Sequence, residues 1–170
     1  MNIAVLGAGA WGSAIAAVRG ARHDVTLWCR DPGQCRDIAA SRCNRRYIPE
    51  VTLPAKLAVS ADFGAATNAA ELVLVATPTA ALREILVRLA PLNKPVVWLC
   101  KGFEAHSAKL PHQIAMETLG SGVARGALSG PSFALEVARG MPTALTLASA
   151  DARFSAATAR ALHGARLRVY

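Results

Sequence analysis

The residues best placed to do chemistry fall in four groups. Gly7, Gly9 and Gly12 stand in G-x-G-x-x-G spacing inside Ala4–Ala17, A-V-L-G-A-G-A-W-G-S-A-I-A-A. The first such glycine makes a tight turn, the second lets a pyrophosphate approach the backbone, and the third lets helix and strand pack closely. The helix opening here offers free N–H groups and a positive dipole end to an anion. The plain alternative is a strand-turn-helix connection with small residues for packing. Arg30 follows the apolar V-T-L-W segment and precedes Asp31. A NAD site usually places Asp or Glu near this position for the ribose 2′-hydroxyl, whereas a guanidinium matches a 2′-phosphate. Arg30 therefore tilts the expected cofactor towards NADP, with NAD possible; a guanidinium stacked on adenine or facing water is the alternative. Lys101, in K-G-F-E after an apolar run, could bind phosphate or polarise a carbonyl oxygen, or be a surface lysine at a strand end. Ser129-Gly130-Pro131-Ser132 offers backbone N–H groups and a hydroxyl to an anion or a sugar-like hydroxyl, or is an ordinary capped turn.

Elements that could position these groups alternate along the chain. Apolar runs predict buried strands at 2–6, 24–29, 57–60, 71–76, 95–100, 123–128 and 143–148, and a last strand begins at 166. Helices are expected at 11–21, 34–43, 61–69, 80–89, 107–119, 133–139 and from 151 to 162. Leu82, Ile85, Leu86 and Leu89 share one face of the fourth, and Leu110, Ile114 and Leu119 one face of the fifth. Asp31 before Pro32 reads as a helix start, with Asp as cap and Pro at the first helical position. Ser132 is expected to cap the helix at 133–139, which Gly140 ends. Residues 44–54 read as irregular, with Arg45, Arg46 and Tyr47 able to reach a phosphate or an adenine. This alternation predicts an α/β domain of Rossmann type: a doubly wound, largely parallel sheet with mixed strands added at its C-terminal end. Ligands of such sheets lie outside the carboxyl ends of the strands, so Thr77 and Pro78 are expected near the cofactor by position.

Composition narrows the function. With 170 residues, 53% hydrophobic and 18% charged, the chain can bury a sizeable core. It has no run of 18 apolar residues and no signal-peptide pattern, so no membrane span and a cytoplasmic location are expected. The net charge of +8 is spread, with modest groups at Arg42, Arg45, Arg46 and at Arg160, Arg166, Arg168, and nucleic acid is not the expected partner. Cys29, Cys35, Cys43 and Cys100 form no C-x-x-C pair, and the histidines add no zinc spacing, so free thiols and no metal are expected.

The ordered set G-A-G-A-W-G-S-A, L-W-C-R-D, C-N-R-R-Y-I-P, W-L-C-K-G-F-E and S-G-P-S-F-A-L-E-V-A-R-G-M-P-T resembles the N-terminal domain of bacterial NAD(P)-dependent glycerol-3-phosphate dehydrogenases. The resemblance covers essentially the whole chain; K-G with S-G-P-S-F-A-x-E is its specific part. It implies reduction of dihydroxyacetone phosphate to sn-glycerol 3-phosphate, feeding glycerophospholipid synthesis. It implies that Ala10 and Trp11, with the glycine loop, contact the cofactor pyrophosphate region, that Arg30 meets the adenosine end and that Ala134 contacts the cofactor. Lys101 would lie beside nicotinamide and substrate, and Gly130 and Ser132 would contact the substrate. Serine is frequent in the family where Ala10 stands, so only a backbone contact is expected there. In the family the general acid is a lysine in an apolar, glycine-rich helix C-terminal to this region, where the helical substrate domain also lies. Residues 1–170 are therefore expected to be a NAD(P)-binding domain without that lysine, binding cofactor weakly and turning over little, with exposed apolar surface that makes a homodimer plausible. Two other expectations stay open: a related dehydrogenase acting on a 2-hydroxyacid or ketopantoate-type substrate, and a non-catalytic NAD(P)-sensing domain.

Overall fold

Apolar runs rich in isoleucine, valine and leucine become the buried middle strands of one sheet. The computed structural model of the chain describes residues 1–170. Its elements are β1 (Asn2–Leu6), α1 (Ala10–Gly20), β2 (Asp24–Trp28), α2 (Pro32–Ser41), β3 (Ala58–Ser60), α3 (Phe63–Thr67), β4 (Leu72–Val75), α4 (Thr79–Leu89), β5 (Val96–Trp98), α5 (Pro111–Leu119), β6 (Arg125–Ser129), α6 (Ala134–Ala138), β7 (Thr143–Ala148), α7 (Ala152–Leu162) and β8 (Leu167–Val169). The eight strands lie in the order β3-β2-β1-β4-β5-β6-β7-β8. The first six in sequence are parallel; β7 runs antiparallel to β6, and β8 parallel to β7. The order reverses between β1 and β4, the crevice where an open α/β sheet takes its ligand.

Alternation along the strands sends side chains to two cores. Ile3, Val5, Val25, Leu27, Leu72, Leu74 and Val97 join α1, α2, α6 and α7 on one face. Ala4, Leu6, Val73, Val75, Val96 and Trp98 join α3, α4 and α5 on the other. The buried face of α4 is Leu82, Ile85, Leu86 and Leu89, each contributing about 1.5–3 kcal/mol of transfer free energy. The outer strands β7 and β8 bury only alternate residues, so one face of this end of the sheet is open to solvent. No helix is long and apolar enough to cross a membrane.

Two local expectations are corrected. The fifth helix begins at Pro111 rather than near 107, and Leu110 is exposed rather than turned inward. Proline is pre-set for the first helical position and drives the residue before it out of helical geometry, which leaves Leu110 extended (φ −77°, ψ 154°) outside the helix. Ser132 does not cap α6. Phe133 occupies the capping position in extended geometry without a side-chain bond, because Ser132 closes a tight turn onto the Gly130 carbonyl at 3.0 Å. By contrast Asp31 caps α2 as expected, accepting from the Gly33 N–H at 2.8 Å with Pro32 at the first position.

Candidate functional site

Each glycine of the first loop meets a different requirement. Gly7 has φ +113°, and a Cβ there would lie 2.9 Å from the Ala76 carbonyl oxygen. A Cβ at Gly12 would lie 1.8 Å from the Gly7 carbonyl oxygen, so α1 could not pack on β1 with any larger residue. A Cβ at Gly9 would meet nothing within 4 Å: it would project into open space. That open space is where a ligand phosphate would approach the backbone. No side chain caps α1 at Gly9, and its first N–H groups have no intrahelical partner.

The loop is braced by two amides. Gln34 Nε2 and Asn44 Nδ2 donate to the Ala8 carbonyl oxygen at 2.8 and 2.9 Å, and Asn44 also donates to Ser13 Oγ at 2.7 Å. Holding that carbonyl inward fixes the orientation of the neighbouring peptides. Asn44 is buried and sits in the irregular 44–54 segment, where neither periodicity nor charge marks it; its partners are 31 and 36 residues away.

In front of the loop lies a cleft of about 1060 Å³ over the carboxyl ends of β1, β2, β4 and β5. Gly7, Gly9, Ala10 and Trp11 form one wall, Arg30 with Arg46 and Tyr47 lie at the β2 end, and Thr77 and Lys101 lie at the other. A crevice of about 40 Å³ adjoins it, lined by Trp11, Lys101, Ser129, Gly130 and Ser132 among others. Lys101 and Trp11 border both spaces. The expected cofactor residues Gly7, Gly9, Ala10, Trp11, Arg30 and Lys101 thus share one cleft, and the expected substrate residues Lys101, Gly130 and Ser132 share the crevice beside it. Gly12 and Ala134 line neither; Gly12 sits behind the loop and Ala134 packs against the core. A Cβ at Gly130 would meet the Ala144 carbonyl oxygen at 2.7 Å, so close strand packing alone demands glycine there.

Two side-chain oxygens at this site are buried without any partner: Thr77 Oγ1 and Ser132 Oγ. A buried hydroxyl left unbonded costs about 1–3 kcal/mol, so such groups concentrate where a ligand or water completes them. Thr77 was legible only by its position after β4; its unpaired hydroxyl adds the chemistry. The open space at Gly9 and the unpaired hydroxyls fit a dinucleotide on the cleft side and a small polar substrate on the crevice side. Asp31, next to Arg30 in the same cleft, accepts the Gly33 N–H on one carboxylate oxygen as the α2 cap.

The remaining basic and sulfur groups are mostly structural. Arg42 donates to the carbonyls of Pro54 and Leu57, tying the irregular segment together. Arg19, buried, donates to the Leu162 carbonyl at 2.7 Å and joins α1 to the end of α7; its partner is 143 residues away and nothing local in the sequence marks it. All four cysteines are free, and burial pushes the Cys29 thiol up to about 12, which keeps it protonated and unreactive. No group of three or more His, Cys, Asp or Glu side chains is gathered where it could hold a metal ion.

Comparison with known proteins places the chain in a family. Residues 2–155 match the family described as NAD-dependent glycerol-3-phosphate dehydrogenase N-terminus. The chain is 54% identical over 172 residues to a glycerol-3-phosphate dehydrogenase [NAD(P)+] of Aromatoleum aromaticum, covering all of this chain and 52% of that one. It is 52% identical to the protein of the same name from Thiobacillus denitrificans, again covering all of this chain and 52% of the relative. The crystal structure of glycerol-3-phosphate dehydrogenase from Coxiella burnetii superposes with a TM-score of 0.92 at 36% identity, over 99% of this chain and 53% of that chain. The chain therefore spans about half the length of the curated relatives it matches.

Proposed function

The chain belongs to the NAD-dependent glycerol-3-phosphate dehydrogenase family, and from that premise we propose that residues 1–170 are the NAD(P)-binding domain of an enzyme reducing dihydroxyacetone phosphate to sn-glycerol 3-phosphate. The observation that carries this reading is the continuous lining from the glycine loop to Lys101, with the Gly130–Ser132 crevice opening beside the same lysine. A bound reduced nicotinamide supplies the hydride delivered to the C2 carbonyl of the substrate. The N–H groups at the start of α1 hold the pyrophosphate, and Gly7, Gly9, Ala10, Trp11 and Gly12 shape that approach. Ala10 contributes its backbone only. Ala134, packed against the same core as Trp11, backs the cofactor rather than lining its cleft. Lys101 sets its ammonium between the two spaces, orienting the substrate and stabilising negative charge that develops on the carbonyl oxygen. Ser132 and the Gly130 backbone hold the substrate's polar groups. The proton is delivered by a lysine outside residues 1–170, as the resemblance implies. The reaction belongs to the cytoplasm and to glycerophospholipid synthesis, and the exposed side chains of Phe103 and Phe133 beside the site favour association with another domain or a second copy.

Arg30 makes NADP the preferred cofactor. Titrating the chain with NADPH and NADH, each with and without sn-glycerol 3-phosphate, tests the reading. Binding of both cofactors, tighter with the three-carbon phosphate, is the expected result. Cofactor binding indifferent to any three-carbon phosphate would favour a sensing domain, and no binding at millimolar concentrations would overturn the assignment. Arg30→Ala should weaken NADPH and leave NADH unchanged; equal loss of both would remove the argument for NADP.

A further inference from the structure

The segment that carries Lys101 has little backbone support of its own. The last ladder bond of β5 on this side is Leu99 N–H to the Val75 carbonyl at 2.9 Å, and no strand or helix follows until Pro111. Residues 101–104 are held by side chains from α4, and Lys109 at the far end of the segment by Glu117 of α5. Thr79 and Arg83 lie four apart on that helix, on one face. Thr79 Oγ1 donates to the Lys101 carbonyl oxygen. Arg83 reaches Glu104 with two parallel bonds, Nε to Oε1 at 2.9 Å and Nη2 to Oε2 at 2.7 Å. Glu104 in turn organises the loop: its N–H donates to the Lys109 carbonyl, its carbonyl accepts from Ala108, and its carboxylate accepts from Ser107 Oγ. A forked guanidinium–carboxylate pair fixes direction as well as distance, which a single-point ammonium does not. A third arm of the network is separate: Arg83 Nη1 bonds Glu117 on α5 at 3.0 Å, and Glu117 also pairs with Lys109.

We propose that Thr79, Arg83 and Glu104 are positioning residues for Lys101: α4 grips the loop at Lys101 itself and three residues on, and so sets where the ammonium stands between cleft and crevice. The inference rests on the reading of Lys101 as a cofactor and substrate contact. None of the three need touch a ligand. A rival account makes the same network only a strap between α4 and α5, with no bearing on binding.

A double-mutant cycle on the 170-residue chain separates these, with the NADPH dissociation constant and the thermal midpoint read on each variant. Lys101→Met should weaken NADPH about tenfold. Arg83→Met and Glu104→Gln should each weaken it about three- to tenfold when Lys101 is present, and by less than about twofold in the Lys101→Met background, because their effect passes through that side chain. Glu117→Gln, which cuts the strap but leaves the fork, should leave affinity unchanged. Equal losses for Arg83→Met with and without Lys101, or a loss from Glu117→Gln as large as from Glu104→Gln, would overturn the positioning role and leave the reading of Lys101 intact. Failure of Lys101→Met to change NADPH affinity would overturn that reading and the positioning role with it. Glu104→Gln, which keeps the side chain's shape, stands in should Arg83→Met lower the midpoint.

Discussion

The two limbs of the cleft are held by different forces. The glycine loop at 7–12 is fixed by contact and by neutral hydrogen bonds: Gly12 abuts the Gly7 carbonyl, and the amides of Gln34 and Asn44 hold the Ala8 carbonyl. The Lys101 loop is fixed by charge: Arg83 on Glu104, with Glu117 and Lys109 beside them, all partly exposed. Steric contacts between backbone atoms respond to neither salt nor pH. Ion pairs at a surface respond to both. The rigid limb carries the glycine loop proposed to meet the pyrophosphate, while the charge-held limb carries the one lysine that borders the crevice proposed for the substrate. Fixing the second limb by charge makes its geometry adjustable by small changes at a distance.

The comparison breaks most visibly at Gly12. Gly12→Ala drives a methyl into the Gly7 carbonyl and must push α1 off β1. We expect a loss of about 3 kcal/mol or more of stability, read by urea denaturation, with cofactor binding lost as well. A variant as stable as the parent would mean that the loop is not held by this contact. Asn44→Ala comes next. It leaves Ser13 Oγ without its donor in a buried setting while the Ala8 carbonyl keeps its bond from Gln34, an expected cost of about 1–3 kcal/mol. Gly9→Ala sharpens the contrast within the loop. Its methyl meets only open space, so the denaturation midpoint should not move, while NADPH should bind about tenfold more weakly or worse. Unchanged affinity would put the pyrophosphate elsewhere.

The two limbs also differ in how far the sequence announces them. The glycine loop is local: strand, turn and helix fall within twenty residues, and each glycine's spacing carries its reason. Arg30, Asp31 and Pro32 are equally local, and the Asp31 cap is present as the residue types require. The start of α5 was written in Leu110-Pro111, where proline sets the boundary; apolar spacing gave way to it. Ser132 does not form the cap that a serine before a helix predicts, because the turn closed by its own N–H directs the hydroxyl inward. The bonds of Asn44, Arg19 and the Arg83–Glu104 fork join residues 21 to 143 positions apart, and no periodicity encodes such pairs. The largely parallel sheet with its mixed end, and a ligand site at the carboxyl ends of its strands, were legible from alternation; the strand order and the bracing of the cleft were not.

The smallest expected effect is the one that tells the limbs apart by titration. Two hydrogen bonds from Arg83, with one from Ser107, lower the Glu104 carboxyl from the ordinary 4.5 to about 2. Glu117 is likewise lowered, chiefly by Lys109 and then Arg83. Above the ordinary carboxylate value the folded and unfolded chains are both ionised at Glu104, and the pairing stabilises the fold in full. Between about 4.5 and 2 the unfolded chain takes up a proton that the folded chain refuses, so that contribution fades as pH falls and is gone below about 2. The informative quantity is therefore a difference between parent and variant. The urea midpoint of the parent minus that of Glu104→Gln should be largest near neutral pH and shrink towards zero as pH falls from about 4.5 towards 2. The parent minus Gly12→Ala difference should stay flat over the same range, because no titrating group enters that contact. A Glu104 difference that stays flat as well would mean that the lysine limb is held, like the glycine limb, by packing rather than by charge.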